Sequence, residues 1–189
     1  MYDLAIVNGK CFIHGSWSGE CLYVKDGSIA HIGPKGLPAQ ETFDASGLEV
    51  LPGLIDPHVH FELDLGTIVS RDDFDYGCQA ALHGGVTTIV DFLEPTANAA
   101  ALERSYHSRM EQAKKCRIDY HFHATIKQPD GDLEAYVKTM LRLGMKTVKL
   151  FTTYSDSGRR TDDETIIELL KLSNRYHFLV MTHVENDAM

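Results

Sequence analysis

The chain has 189 residues, 43% of them hydrophobic and 24% charged, which is the balance of a globular protein and excludes disordered, collagen-like and coiled-coil classes. Its 18 Lys and Arg stand against 27 Asp and Glu, a formal charge of −9, so the basic footprint that a nucleic acid or an anionic membrane demands is missing. No apolar run reaches the roughly 18 residues of a membrane span, and the opening MYDLAIVNGK has no basic leader segment or cleavage pattern. The four cysteines (Cys11, Cys21, Cys78 and Cys116) are widely spaced with no CxxC, which predicts reduced thiols, no disulfide framework and a cytoplasmic location.

Residues 1–51 read as short strands and turns, with apolar or alternating runs at 4–7, 21–25 and 28–32. Asp26-Gly27 is a hairpin signal, because a type I′ turn needs positive φ at both central residues. A sheet this small buries little surface by itself. These residues form one predicted unit and 52–189 the other.

From Leu54 the texture changes to strands alternating with helices. Apolar or β-branched runs begin near Leu54, Val86, Asp119, Lys146 and Phe178, spaced by about 30 residues, the length of one βα unit. Ser70-x-x-Asp73 and Thr161-x-x-Glu164 have the capping-box pattern of helix starts. Gly84-Gly85 and Gly144 stand where left-handed caps would end two helices. A helix over 161–176 would present Ile166, Ile167, Leu169, Leu170 and Leu172 as a broad apolar stripe. Regular βα repeats imply a parallel α/β sheet, either open and doubly wound or part of a TIM barrel. The first βα turn, DPHVHFEL, contains no GxGxxG, so the barrel is favoured. About five of its eight strands are present, too few to close it.

In such a barrel chemistry sits at the C-terminal strand ends. Those ends carry His58 and His60, Asp91, His121 and His123, Lys149, then His183 and Glu185. His58-Val59-His60 places two imidazoles on one side of an extended segment, able to grip one ion. His121-Phe122-His123 is a rival, read more plainly as polar residues satisfied within the barrel. Lys149 stands in the apolar run Thr147-Val148-Lys149-Leu150-Phe151, where burial would favour a neutral amine. Such an amine can take up CO₂ as a carbamate, or the lysine can form an ordinary salt bridge. Asp91 and Glu185 read as structural hydrogen-bonding groups, and Asp56 as a residue orienting backbone or ligand. No GxSxG, GxxxxGK[ST] or HExxH occurs, so serine-hydrolase, P-loop and zincin chemistry have no motif.

The segments LPGLIDPHVHFELDLGT, DDFDYGCQAALHGGVTTIVDF, DYHFHATI, GMKTVKLFTTY and THVEND resemble the amidohydrolase superfamily, specifically its dihydropyrimidinase/D-hydantoinase branch and most nearly the phenylhydantoinase type. The resemblance runs the length of the chain. It implies a small β-sandwich, begun by residues 1–51, beside a metal-dependent TIM barrel begun by 52–189. It implies two divalent ions, usually zinc, with His58, His60, Lys149 and His183 as ligands and Lys149 carboxylated to bridge them. Tyr154 matches the residue that hydrogen-bonds the substrate carbonyl or its oxyanion, and His123 matches a position that is not a ligand.

The activity so implied is opening of a cyclic amide, in a hydantoin or dihydropyrimidine, to an N-carbamoyl amino acid by a hydroxide shared between the ions, with an aspartate passing the proton. The small cyclic ureide is then the partner, and the full-length protein a homotetramer. The family's sixth-strand histidine and eighth-strand aspartate would follow residue 189, so these residues alone are expected to be inactive. Glu62 occupies the position of an arginine in relatives that bind carboxylate-bearing rings such as dihydroorotate, and residues 62–72 are expected to gate the substrate. The alternatives are a non-catalytic dihydropyrimidinase-like scaffold, a remnant dependent on a partner, or another cyclic amidohydrolase such as allantoinase.

Overall fold

The computed structural model describes residues 1–188, which fold as two compact units, 1–53 and 54 onward. The first contains β1 (Tyr2–Val7), β2 (Lys10–Ile13), β3 (Ser16–Ser18), β4 (Cys21–Lys25), β5 (Ser28–Gly33), β6 (Ala39–Asp44) and β7 (Glu49–Val50). They form a four-stranded sheet of order β5-β4-β1-β6 and a three-stranded sheet of order β3-β2-β7. The β4–β5 hairpin turns on Asp26 and Gly27 at φ 51° and 74°, as a type I′ turn requires. Its small core is Ala5, Val7, Cys21 and Tyr23, and the Tyr23 hydroxyl, buried with them, donates to the Pro34 carbonyl at 2.7 Å.

The second unit alternates β8 (Leu54–Val59), α1 (Phe74–His83), β9 (Val86–Phe92), α2 (Ala99–Ala113), β10 (Asp119–Thr125), α3 (Leu133–Arg142), β11 (Thr147–Phe151), α4 (Asp163–Tyr176) and β12 (Leu179–His183). The strands pair in parallel and lie in sequence order, β12-β11-β10-β9-β8. An open doubly wound sheet reverses its order at a switch point; this one does not, so it is the first part of a (β/α)₈ barrel. Its core is built from Ile89, Phe122, Ala124, Val148 and Leu150 of the strands and from Leu102, Val137, Met140, Leu169 and Leu172 of the helices.

Several local expectations shift by a few residues. The caps of α1 and α4 are Asp73 and Asp162, whose carboxylates accept from the Tyr76 and Thr165 amides at 2.8 Å, rather than Ser70 and Thr161. Each acid stands nearer the first helical turn and brings negative charge to its positive end. The left-handed glycines after α1 and α3 are Gly85 and Gly144, at φ 83° and 86°. On α4 the apolar stripe is narrower than expected: Leu169 and Leu172 are buried, while Ile167 and Leu170 are more than half exposed.

The expectation of four free thiols is overturned. Cys78 of α1 and Cys116, just past α2, form a disulfide, and Cys11 and Cys21 remain free and buried. The 38-residue separation hides the pairing, since proximity arises only when α1 and α2 pack beside the strands between them.

Candidate metal centre

The C-terminal strand ends converge on a cleft of about 320 Å³ lined by His60, Phe92, Lys149, Phe151, Tyr154, Arg159 and His183, with Leu63 and Leu65 at its side. His58 is not in its wall. It is exposed beside the cleft, its ring 5.3 Å from that of His60, and both rings pack 4.6 Å from Phe92. The His58 amide donates to the Asp56 carboxylate at 3.1 Å, so Asp56 shapes the backbone as its spacing suggests.

Burial, reinforced by the Lys149 ammonium, holds the imidazole of His60 down at about 4 and pushes that of His58 below its usual range. Both therefore present neutral nitrogens, the form that binds a metal.

Lys149 is buried, with its Nζ 4.3 Å from the Phe92 ring and 5.3 Å from that of Phe151. Burial lowers its pKa, and Arg159 lowers it further. Among the described residues no carboxylate pairs with Lys149. In its neutral form such an amine would react as R–NH₂ + CO₂ → R–NH–COO⁻ + H⁺, giving an anion with two oxygens.

His183 ends β12. Its Nε2 lies 2.5 Å from Glu185 Oε1 and 3.2 Å from the Tyr154 hydroxyl, which donates to the same carboxylate at 3.3 Å. The imidazole holds the Glu185 carboxyl below its usual range. Burial, followed by the neighbouring Glu185 charge, raises the Tyr154 phenol and keeps it a donor. Tyr154 adopts a left-handed backbone, φ 71° and ψ 40°, just before a 3₁₀ turn at Ser155–Ser157. A side chain pays for that conformation, and here it turns the phenol back over His183. The role of Glu185 in this trio was legible only as structural hydrogen bonding.

The two candidate HxH pairs separate cleanly. His121 is exposed. His123 is buried, with Nε2 2.8 Å from the Pro57 carbonyl and Nδ1 in contact with the Thr147 hydroxyl. A carbonyl can only accept, so Nε2 bears the proton and Nδ1 accepts, leaving neither nitrogen for a metal. Burial holds this imidazole below its usual range too.

Arg109 was not singled out from sequence. It reaches from α2 to the Asp91 carboxylate at 2.8 Å and also donates to the Phe61 carbonyl. Burial pushes the Asp91 carboxyl up to about 6 against the pull of this guanidinium. The available signal was Asp91 itself, since an acid inside the apolar run VTTIVDF needs a cation.

Among the described residues no three His, Cys, Asp or Glu side chains lie close enough to hold an ion by themselves. The buried Lys149 amine shares the cleft with His60 and His183. Neutral imidazoles and an amine are donor types that suit a divalent transition ion.

Three comparisons bear on this arrangement. A D-hydantoinase of Geobacillus stearothermophilus is 38% identical over 168 residues, which is 87% of this chain and 35% of that protein. A D-phenylhydantoinase of Escherichia coli (strain SE11) is 31% identical over 186 residues, 97% of this chain and 40% of that one. A D-hydantoinase crystal structure superposes on all of the chain with a TM-score of 0.90 at 34% identity, covering 41% of that structure. The chain thus spans about 40% of the length of these relatives. The Amidohydrolase family model matches residues 50–188, the stretch that bears every candidate ligand. By that match the chain belongs to the amidohydrolase family.

Proposed function

We propose that this chain is the first portion of a metal-dependent hydrolase that opens the cyclic amide of a hydantoin or dihydropyrimidine to an N-carbamoyl amino acid. The observation that carries the reading is Lys149, an amine buried against the Phe92 and Phe151 rings with no carboxylate partner among the described residues, lining the cleft that His60 and His183 also line. In the reading, residues 1–51 begin a small β-sandwich and 52–189 begin the catalytic barrel.

Two divalent ions, read as zinc, would supply Lewis acidity that acidifies water and polarises the amide carbonyl. His58 and His60 would bind as neutral imidazoles from β8, and His183 from β12. His183 must exchange its contacts with Glu185 and Tyr154 for the ion, and Tyr154 must separately release its hydrogen bond to Glu185 to free its hydroxyl. Lys149, once carboxylated, would bridge the two positions from β11.

Tyr154, protonated and freed, would donate to the substrate carbonyl oxygen and hold it more tightly as negative charge develops. Leu63 and Leu65 belong to a short antiparallel excursion in which the Ser70 amide donates to the Leu63 carbonyl and the Leu65 amide to that of Ile68. This segment, part of 62–72, is read as the gate that shapes the ring's side-chain pocket.

The 189 residues alone are proposed to be inactive, since a five-stranded parallel sheet leaves both outer strands without barrel neighbours. The full-length protein is read as a homotetramer and as cytoplasmic, on family likeness and sequence. The Cys78–Cys116 bond counts against the second of these.

The test is Lys149→Ala in the full-length protein, with metal content, a ¹³C-carbamate resonance and hydantoin opening measured together. Loss of all three is expected. Two ions bound per chain and undiminished turnover in the variant would overturn the assignment.

A further inference from the structure

The segment bearing His58 and His60 is poorly held by its own sheet. Strand β8 pairs with β9 through Leu54, Ile55, Asp56 and Val59, with the register shifting between Asp56 and Val59. Pro57 and His58 have no partner in that ladder, and Pro57 has no N–H to offer.

Two buried side chains reach this segment from elsewhere, one at each end. His123 of β10 donates from Nε2 to the Pro57 carbonyl at 2.8 Å, just before His58. Arg109 of α2 donates from Nη2 to the Phe61 carbonyl, just after His60. Each is itself fixed. His123 is 6% exposed and its Nδ1 meets the Thr147 hydroxyl at the start of β11, two residues before Lys149. Arg109 is also 6% exposed, bonded to Asp91 and Gln112 and laid over the Phe74 ring at 4.8 Å. Its Nε finds no acceptor among the described residues. The guanidinium is therefore set by its Nη contacts, and it forgoes a hydrogen bond to keep them.

We infer that His123 and Arg109 are positioning residues that clamp the backbone on either side of His58-Val59-His60 and so aim both imidazoles at one ion. His123 does more, because its Thr147 contact ties the pair to the strand that bears Lys149. The inference rests on the reading of His58 and His60 as ligands. The chemistry is that of groups around a metal site that orient its ligands: an imidazole swung by a fraction of an ångström binds more weakly, and loss of such a support typically costs about 10–100-fold in affinity.

The test is zinc release to a chromophoric chelator from the zinc-loaded, full-length protein. Two clamps are broken separately. His123→Leu removes the donor and fills the space, whereas His123→Gln keeps an N–H at the same reach. The pair Asp91→Leu with Arg109→Met removes the second clamp without leaving a buried charge alone. Release about 10–100-fold faster is expected in His123→Leu and in the Asp91/Arg109 double variant, with His123→Gln returning toward the parent rate.

A purely structural filler at position 123 would predict equal rates for Leu and Gln, and that equality would overturn the His123 clamp. Should His123→Leu not fold, the double variant decides, and parent-like release there overturns the inference. His60→Ala is run alongside. If it keeps the parent zinc stoichiometry, the ligand reading itself has failed, a result distinct from either clamp failing.

Discussion

Strand β11 pairs with both neighbours and is buried from Val148 to Phe151, whereas the ladder of β8 skips Pro57 and His58. Both deliver proposed ligands to the same place. On β11 the sheet does the positioning, and burial prepares the chemistry, because desolvation is what turns Lys149 toward a neutral amine. On β8 the ladder is interrupted, and side chains from β10 and α2 supply the constraint. A ligand can thus be aimed by the strand it sits on or by its neighbours, and the two modes respond differently to mutation.

The contrast is most sharply broken at apolar positions. Leu150→Ala, at a fully buried site in β11, is expected to cost about 2–5 kcal/mol of stability. In residues 1–189 by themselves, Ile55→Ala in β8, where the side chain is 65% exposed, is expected to stay within about 0.5 kcal/mol. Equal denaturant midpoints for the two variants would erase the distinction.

A smaller effect belongs to the turn after β11. Tyr154→Phe should leave metal content unchanged and lower kcat by the worth of an oxyanion donor, about 2.7–4 kcal/mol. A parent-like kcat in steady-state assays would remove Tyr154 from the reaction.

The smallest concerns protons on β8. Burial depresses the folded-state pKa of His60 to about 4, while the unfolded chain takes up the same proton near 6.5. Between those values the unfolded state binds more protons, so stability is complete above about 6.5 and declines as pH falls toward 4. Denaturant midpoints of the metal-free protein should show this slope, and His60→Ala should flatten it. An unchanged slope would assign it to other groups.

The parts of the molecule legible in sequence are those fixed by local period or backbone need. The βα rhythm shows in apolar runs, and Asp26-Gly27 and Gly144 announce positive φ because few other residues tolerate it. The pair His58 and His60 is equally visible, since alternation in an extended chain is purely local. What escaped depends on packing between distant segments. The Arg109–Asp91 pair joins residues of β9 and α2, and the Cys78–Cys116 bond needs α1 and the end of α2 to be neighbours first. The helix caps were missed more narrowly. Ser70 and Asp73 compete to cap one helix, as do Thr161 and Asp162, and pattern alone does not say which N–H groups lie within reach. Ile167 and Leu170 misled because hydrophobicity states what a residue prefers, and the neighbours decide what it receives.

The Cys78–Cys116 disulfide gathers these threads. Between its ends lie all of β9 and all of α2, and with them both Asp91 and Arg109. The chain from 78 to 116 is therefore a lasso, knotted outside the very pair that reaches the His60 segment. Closing a loop of 38 residues removes chain entropy worth about 4 kcal/mol from the unfolded state. In the oxidised protein the span over which β9 and α2 can separate is bounded by the closed loop, so Arg109 stays nearer its anchor when this region opens than in the reduced chain.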